Sequence, residues 1–223
     1  MTDKQKTQDL QDSYDAVAEE YARRIYDELK DKPLDRQVLD RFAREAQPPI
    51  CDIGTGPGHV ARYLHDQGAQ AFGIDLSPGM VEQARKLNPG MEFRQGNMLA
   101  LDAPNNAWGG ITAFYSIIHV PCAKVIDALR EFKRVLRPGG LILLAFHIGD
   151  ETRHLEEWWD KKVSLDFAFF IPQEMQAYLT SAGLGVVEVI LRDPFPRWNT
   201  RASAAISSRV SRNKIEYPTA RKC

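Results

Sequence analysis

Residues 50–58 read ICDIGTGPG, and the fold turns on them. Ile50, Cys51 and Ile53 are apolar and read as the end of a buried strand. Gly54, Gly56 and Gly58 then alternate through a tight turn, where a residue without Cβ adopts backbone angles closed to others and lets a ligand approach. A helical pattern begins at once, with Val60, Ala61 and Leu64 on one face. Strand, glycine turn and helix in succession form the crevice in which α/β proteins hold a nucleoside or a nucleotide phosphate. A second strand, Ala71 to Ile74, ends in Asp75, a carboxylate able to accept hydrogen bonds from both hydroxyls of a ribose.

Upstream of this stretch, Tyr14, Val17, Ala18, Tyr21, Ile25 and Leu29 recur at three- and four-residue steps, which predicts an amphipathic helix over about 8–30. Pro33 opens a second helix to about Ala46, and Pro48-Pro49 leads into the first strand. Residues 1–47 are therefore expected to form a helical cap and 48–195 one α/β domain. Downstream, Ser77-Pro78 starts a helix and Asn88-Pro89-Gly90 stops it. Met91, Phe93 and Gln95 belong to a short edge strand, Ile111 to Phe114 to a fourth strand, and Val125 to Leu136 to a helix. Arg137-Pro138-Gly139-Gly140 fits a type II turn. Leu141 to Phe146 is almost uninterrupted apolar sequence, as a parallel strand covered on both faces requires. Residues 150–171 are expected to form a lid insertion, with a short helix carrying Trp158 and Trp159 and then a strand through Val163, Leu165, Phe167 and Phe169. Pro172 starts another helix, Gly183 ends it, and Leu184 to Leu191 reads as the sixth strand. From 196 to 223 the pattern is lost: Arg197, Arg201, Arg209, Arg212, Lys214, Arg221 and Lys222 face the single acid Glu216. Thr200 to Ser208 is a poor strand candidate, so a solvated, partly disordered basic tail is expected. It lacks the interleaved aromatics of single-strand nucleic-acid binders.

Taken together, DIGTGPG at 52–58, GIDLSPGMVEQAR at 73–85, FRQGNMLAL at 93–101, AFYSIIHV at 113–120 and LRPGG at 136–140 resemble the class I S-adenosylmethionine-dependent methyltransferases, over about Tyr14 to Phe195. The resemblance implies an α/β, doubly wound, mostly parallel seven-stranded Rossmann-like sheet with helices on both faces and a lid insertion after the fifth strand. It implies S-adenosyl-L-methionine as cofactor, with Gly54, Thr55, Gly56 and Gly58 forming the turn around it and Asp75 on the ribose. Asp52, Leu76, Met80, Asn97, Met98 and Tyr115 are implied as further cofactor contacts, and Tyr14, in a YDxxAxxY segment, as part of a cover. Two positions depart from the family. Asn97 stands where an aspartate commonly meets the adenine amino group; its amide oxygen accepts the same bond. Trp108-Gly109-Gly110 stands where the family has F-D before the fourth strand. The G-x-G-x-G spacing lacks the third glycine position of the dinucleotide fingerprint, which argues against the first rival, a nicotinamide-dependent oxidoreductase. The second rival is a non-catalytic domain that binds S-adenosylmethionine as a regulator.

Methyl transfer from a sulfonium is an in-line displacement with a good leaving group, and alignment alone supplies roughly 7–11 kcal/mol of the barrier. A hydroxyl or carbon-acid acceptor also needs a base. His119, just past the fourth strand, is the expected catalytic residue. His147, just past the fifth, is expected only to hydrogen-bond, and His59, His65 and His154 read as surface. No His, Asp or Glu cluster has metal-ligand spacing, so no metal is expected.

The composition sets the remaining bounds. The chain has 223 residues, enough for one sizeable core, and a formal net charge of −1, so no global field favours nucleic acid or a membrane. No apolar run approaches the roughly 18 residues of a membrane span, and the polar N-terminus is no signal peptide. Cys51, Cys122 and Cys223 form neither a metal motif nor an even set. The expectation is a cytoplasmic, reduced protein acting on a small-molecule methyl acceptor, with no nucleic-acid partner and no membrane.

Overall fold

The computed structural model describes residues 2–194 and 203–210. Five strands run parallel: β1 (Ile50–Ile53), β2 (Ala71–Asp75), β3 (Phe93–Gln95), β4 (Trp108–Phe114) and β5 (Leu136–His147). β6 (Thr152–Trp158) and β7 (Lys161–Ala168) form a separate hairpin, and β8 (Leu184–Arg192) and β9 (Ser203–Val210) complete the main sheet. Its order is β3-β2-β1-β4-β5-β9-β8, with β9 antiparallel to both neighbours. The helices are α1 (Asp3–Ile25), α2 (Pro33–Glu45), α3 (His59–Asp66), α4 (Pro78–Leu87), α5 (Cys122–Val135) and α6 (Pro172–Ser181).

The continuous apolar run of β5 divides between two cores. Ile142, Leu144 and Phe146 pack with Phe132 of α5 and Leu179 of α6. Leu141 and Leu143 pack with Leu39 and Phe42 of α2 and Leu64 of α3. Period-two side-chain alternation between two helical layers is why no polar residue interrupts the strand. β4 starts earlier than the sequence suggests, at Trp108. A Cβ on Gly109 would stand 2.1 Å from the carbonyl oxygen of Gln47, so the crossing before β1 requires glycine where the family pattern has a side chain. α1 lies nearer the N-terminus than expected: it starts at Asp3 and ends at Ile25, and Glu28–Asp31 forms a separate 3₁₀ turn.

Two expectations are corrected. Trp158 and Trp159 lie on no helix. Trp158 pairs with Lys161, and Trp159 and Asp160 have φ of 50° and 61°. Positive φ at both central residues is what a two-residue hairpin of mirror-image type demands. The last strand is also present, at Ser203–Val210, between β5 and β8. It holds its place through two backbone ladders and not through bulky side chains. Ala204, Ile206 and Ser208 are buried, and the Ser208 hydroxyl donates to the Gly185 carbonyl at 2.9 Å. The poor strand expected at Thr200 to Ser208 thus begins three residues later and extends to Val210. The rest of the basic segment, 195–202 and 211–223, lies outside the described residues.

α1 joins the helical cap to the parallel sheet and to the hairpin at once. Asp15 accepts hydrogen bonds from the Ser77 hydroxyl and, at 2.8 Å, from the Gly79 amide at the start of α4. The Ser13 hydroxyl accepts from the Ser164 amide of β7 at 2.8 Å. Val17 shares a small core with Val163 and Leu165. No helix among the described residues is long and apolar enough to cross a membrane.

Candidate functional site

The carboxyl ends of β1, β2 and β4 open into a cavity of about 780 Å³, closed over by α1 and the β6–β7 hairpin. The turn after β1 sets its floor. The Gly54 and Thr55 amides donate to the Ile74 carbonyl at 2.7 and 3.1 Å, which clamps the glycine turn to β2. Gly54 has φ 68°, and a Cβ there would fall 2.3 Å from the Ser116 Cβ; no side chain fits.

Asp75 stands at the end of β2. Its Oδ2 accepts the Gly56 amide at 2.8 Å and its Oδ1 the Ser77 amide at 2.9 Å. Burial pushes its pKa up to about 6, against the pull of those two amides. Each oxygen keeps a lone pair for another donor. Leu76, Met80 and Met98 line the neighbouring wall with apolar surface beside Asn97, whose Oδ1 already accepts the Leu99 amide at 2.9 Å. A buried carboxylate with open acceptor sites, next to an apolar slot with one amide, suits a ribose and a base.

The cavity therefore brings together Tyr14, Gly54, Thr55, Gly56, Asp75, Leu76, Met80, Asn97, Met98, Tyr115 and His119. Two of the sequence-derived cofactor residues lie behind its wall. Asp52 is buried, with its oxygens accepting from the Thr55 and Thr112 hydroxyls at 2.7 and 2.6 Å, so it braces the turn. Gly58 precedes α3 and packs towards Phe93 and Asn88.

On the opposite side, His119 ends a 3₁₀ turn, Ile117–His119, that follows β4. Its Nδ1 lies 2.9 Å from the Asp166 backbone carbonyl of β7, and its Nε2 lies 2.6 Å from the Tyr14 hydroxyl. A carbonyl oxygen only accepts, so Nδ1 carries the proton of the neutral ring and Nε2 accepts from Tyr14. Burial pushes the His119 pKa down to about 4 and that of Tyr14 well above its ordinary value. Tyr21, Trp158 and Phe167 complete an aromatic wall, with Tyr14 and Trp158 centroids 6.1 Å apart.

Glu28 and Lys32, to which the sequence assigned no role, also line the cavity. Glu28 bonds Lys32 at 2.8 Å and His59 at 3.3 Å. His59, expected on the surface, lines the cavity with a side chain only 12% exposed. Its position immediately after the glycine turn was the signal available. Burial raises the Glu28 pKa, but the His59 and Lys32 partners outweigh it and hold the carboxyl near 2. Tyr115 leaves β4 with φ 55°, a strained angle of the kind concentrated at sites. Its hydroxyl accepts from Arg192 at 2.6 Å, and its ring lies 4.8 Å from that of His147. Among the described residues, no group of three or more His, Cys, Asp or Glu is placed to hold a metal ion.

Fold and cavity define a doubly wound α/β protein with a nucleoside crevice. Residues 50–140 match the family model of a methyltransferase domain. The chain is similar to a malonyl-[acyl-carrier protein] O-methyltransferase of Enterobacter lignolyticus, 28% identical over 144 residues, covering 63% of this chain and 51% of that protein. It is also similar to a demethylmenaquinone methyltransferase of Chlorobaculum parvum, 33% identical over 97 residues, covering 43% and 39%. The chain spans about half the length or less of these curated relatives. In fold it resembles a 1,6-didemethyltoxoflavin-N1-methyltransferase of Burkholderia thailandensis crystallised with S-adenosylhomocysteine (TM-score 0.75, 16% identity, 95% and 91% of the two chains). A DhpI–S-adenosylhomocysteine complex gives the same TM-score at 18% identity, covering 95% and 100%. Residues 50–140 thus carry a methyltransferase domain, and the chain has the fold of the class I S-adenosylmethionine-dependent methyltransferases, whose cofactor is S-adenosyl-L-methionine.

Proposed function

We propose that this protein transfers the methyl group of S-adenosylmethionine to a small-molecule acceptor whose O–H or acidic C–H proton is lost in the reaction. The bonded pair Tyr14–His119 carries this reading. Asp75 and the Gly54–Gly56 turn would hold the nucleoside, with Leu76, Met80, Asn97 and Met98 around the base. The cofactor, when bound, supplies a methyl group on a sulfonium, activated for in-line displacement.

The chain's own contribution is alignment, exclusion of water and proton acceptance. His119 has no nitrogen free for direct abstraction, since both are bonded. Tyr14 Oη keeps acceptor capacity and takes the acceptor's proton while its own passes to His119 Nε2, leaving a neutral phenol and an imidazolium. The Asp166 carbonyl opposite Nδ1 favours that imidazolium. Because Asp166 lies on the hairpin and Tyr14 on α1, the proton path exists only when both covers are in place. The names of the curated relatives, an O-methyltransferase of a carrier-bound malonyl group and a demethylmenaquinone methyltransferase, support a small or carrier-borne acceptor.

The test is release of S-adenosylhomocysteine across a panel of phenols, carboxylic acids, carbon acids and amines. Turnover restricted to amines that need no base would remove the Tyr14–His119 role, and no turnover with binding retained would favour a regulatory domain.

A further inference from the structure

Side chains from four separate strands meet in one row across the carboxyl end of the sheet. Ser203 of β9 lies directly opposite His147 of β5 on one side and Arg192 of β8 on the other. Tyr115, just past β4, joins the row through its amide, which donates to the Ala145 carbonyl of β5 at 2.8 Å. Residues opposite one another on neighbouring strands point to the same face, here the one that meets Asp35 of α2. Arg192, 7% exposed, forms an ion pair with Asp35 at 3.2 Å and donates to the Tyr115 hydroxyl at 2.6 Å. The Ser203 hydroxyl is the next partner of the Tyr115 hydroxyl and, at 3.3 Å, of His147 Nδ1. The Tyr14–His119 path makes no use of this row.

The row has a direction. A guanidinium only donates, so the Tyr115 oxygen accepts from Arg192. A second donor on that oxygen would leave the phenol proton buried without an acceptor, at a cost of about 1–3 kcal/mol, so the phenol gives its proton to Ser203 Oγ. Having accepted there, the Ser203 hydroxyl gives its own single proton to His147 Nδ1. The neutral imidazole then carries its proton on Nε2. The ring stays neutral at pH 7: burial and the charges of Lys32 and Arg192, opposed by Glu28, hold its pKa near 4. Its plane is set between the rings of Tyr115, 4.8 Å away, and Phe169, 5.7 Å away. His147 lines the cavity, and its Nε2 has no partner among the described residues and is not sealed from the cavity. The tautomer is opposite to that of His119, whose Nδ1 is protonated and whose Nε2 accepts. His147 feels the charge of His119, so the two rings serve one chamber. One receives a proton and the other presents a fixed N–H.

We infer that His147 Nε2–H binds a carbonyl oxygen of the methyl acceptor, and that the acceptor is a compound whose acidic proton is conjugated with that carbonyl, a β-dicarbonyl or an aromatic hydroxyl beside a carbonyl. The inference rests on the proposed transfer reading and narrows its acceptor. When such a compound gives its proton to Tyr14, the electron pair left behind spreads onto the carbonyl oxygen. A donor already aimed there stabilises the charge without reorganising, and a neutral imidazole does so while keeping its proton. The same electron pair then forms the bond to the transferred methyl group, and no proton passes through His147. Arg192 and Ser203 are positioning residues that hold the tautomer.

Two measurements on the full chain test this. The first needs no acceptor. Nitrogen NMR of the imidazoles at pH 7 should show His147 neutral with its proton on Nε2, and Ser203→Ala should mix in the other tautomer. A proton on Nδ1, or an imidazolium, in the wild-type chain overturns the inference. The second is release of S-adenosylhomocysteine with acetylacetone and salicylaldehyde, compared with phenol and catechol, which need the same base but carry no carbonyl. The wild-type chain should favour the carbonyl pair, and the ratio should fall about 10²-fold in His147→Leu. Calorimetry with S-adenosylhomocysteine certifies that this variant is folded; if it is not, the NMR result and His147→Gln decide. The glutamine amide replaces the donor and should recover most of the ratio, which a merely structural histidine would not explain. A glutamine variant that recovers none of it overturns the donor role. Equal losses for both pairs, or a wild-type preference for the phenols, overturn the inference and leave the transfer reading standing. Turnover of neither pair refutes the transfer reading and the inference with it.

Discussion

Replacing Asp75 by alanine should separate binding from folding. In the folded chain the carboxylate is held by two amides, Gly56 at 2.8 Å and Ser77 at 2.9 Å, and has one acceptor site per oxygen remaining for a ribose. Hydrogen bonds to a charged group contribute about 1.5–3 kcal/mol each. Two of them, partly replaced by water in the variant, put the loss at about 2–4 kcal/mol, or roughly 30- to 700-fold in affinity. Stability should move little. Burial lifts the Asp75 pKa to about 6, about two units above its ordinary value. Keeping it ionised at pH 7 therefore costs the fold at most about 3 kcal/mol, less where the cavity admits solvent. Removal returns that cost and forfeits two amide partners at about 1 kcal/mol each, so the two roughly cancel. The same pKa sets a pH dependence. The ionised form is the acceptor, so affinity for S-adenosylhomocysteine should be constant above about pH 7 and fall as pH drops through 6, up to tenfold per unit. Calorimetry from pH 5 to 8 and a thermal melt check both. Unchanged affinity in Asp75→Ala would exclude the ribose role, and a fall in affinity matched by a lowered melting temperature would make Asp75 a brace like Asp52.

Tyr14→Phe and His119→Ala should each lower kcat by about 10²–10⁴-fold once an acceptor is known, with S-adenosylhomocysteine affinity within about threefold; His119→Gln recovering most of the rate would reduce the pair to a hydrogen bond. Acidification should destabilise the protein between about pH 6.5 and 4. Burial, the leading cause for both, holds His119 and His147 near 4, below their unfolded value, so their contribution is lost as pH falls. Asp75, raised to about 6, works in the opposite direction over part of that window. Buried Asp35 and Asp52, also raised, oppose the histidines at the lower end of the window, so the loss is read at its upper end, and a melting temperature that rises as pH falls from 7 to 6 would contradict it. Ending the chain at Asp193 should abolish folding, because β5 and β8 then lose the strand that pairs with both; a cooperative melt close to that of the full chain would refute this. Ser13→Ala removes the acceptor for the Ser164 amide and should cost about 1–3 kcal/mol and raise proteolysis in the β6–β7 hairpin, with the parallel sheet unaffected.

Several features were legible in the sequence because they depend on residues close together along the chain. The glycine turn at 54–58 needs conformations set within a few residues. Ser77 caps α4 through the Met80 amide three residues on. The run from Leu141 to Phe146 declares a strand covered on both faces, because side chains alternate with a period of two. The parallel sheet and the Asp75 position follow from such local signals in sequence. The hairpin was half legible: the alternation through Phe167 showed a strand, but Trp159 and Asp160 carry none of the glycine or asparagine that usually marks its turn.

Tertiary structure alone decided the rest. β9 looks unlike a strand because its small residues and serines draw their stability from two neighbouring backbones, and those neighbours come from 136–147 and 184–192. Tyr14 and His119 meet across 105 residues, and only the hairpin carbonyl opposite Nδ1 assigns the tautomer. Glu28 and Lys32 lie four residues apart, and only folding brings His59 beside them and buries all three. The sequence by itself determined the order of elements from β1 to β5 and the glycine turn, since both are written in local periodicity and turn chemistry. Which polar groups are buried, and whom they meet there, was settled only by folding, since burial is a property of the elements that arrive from elsewhere in the chain.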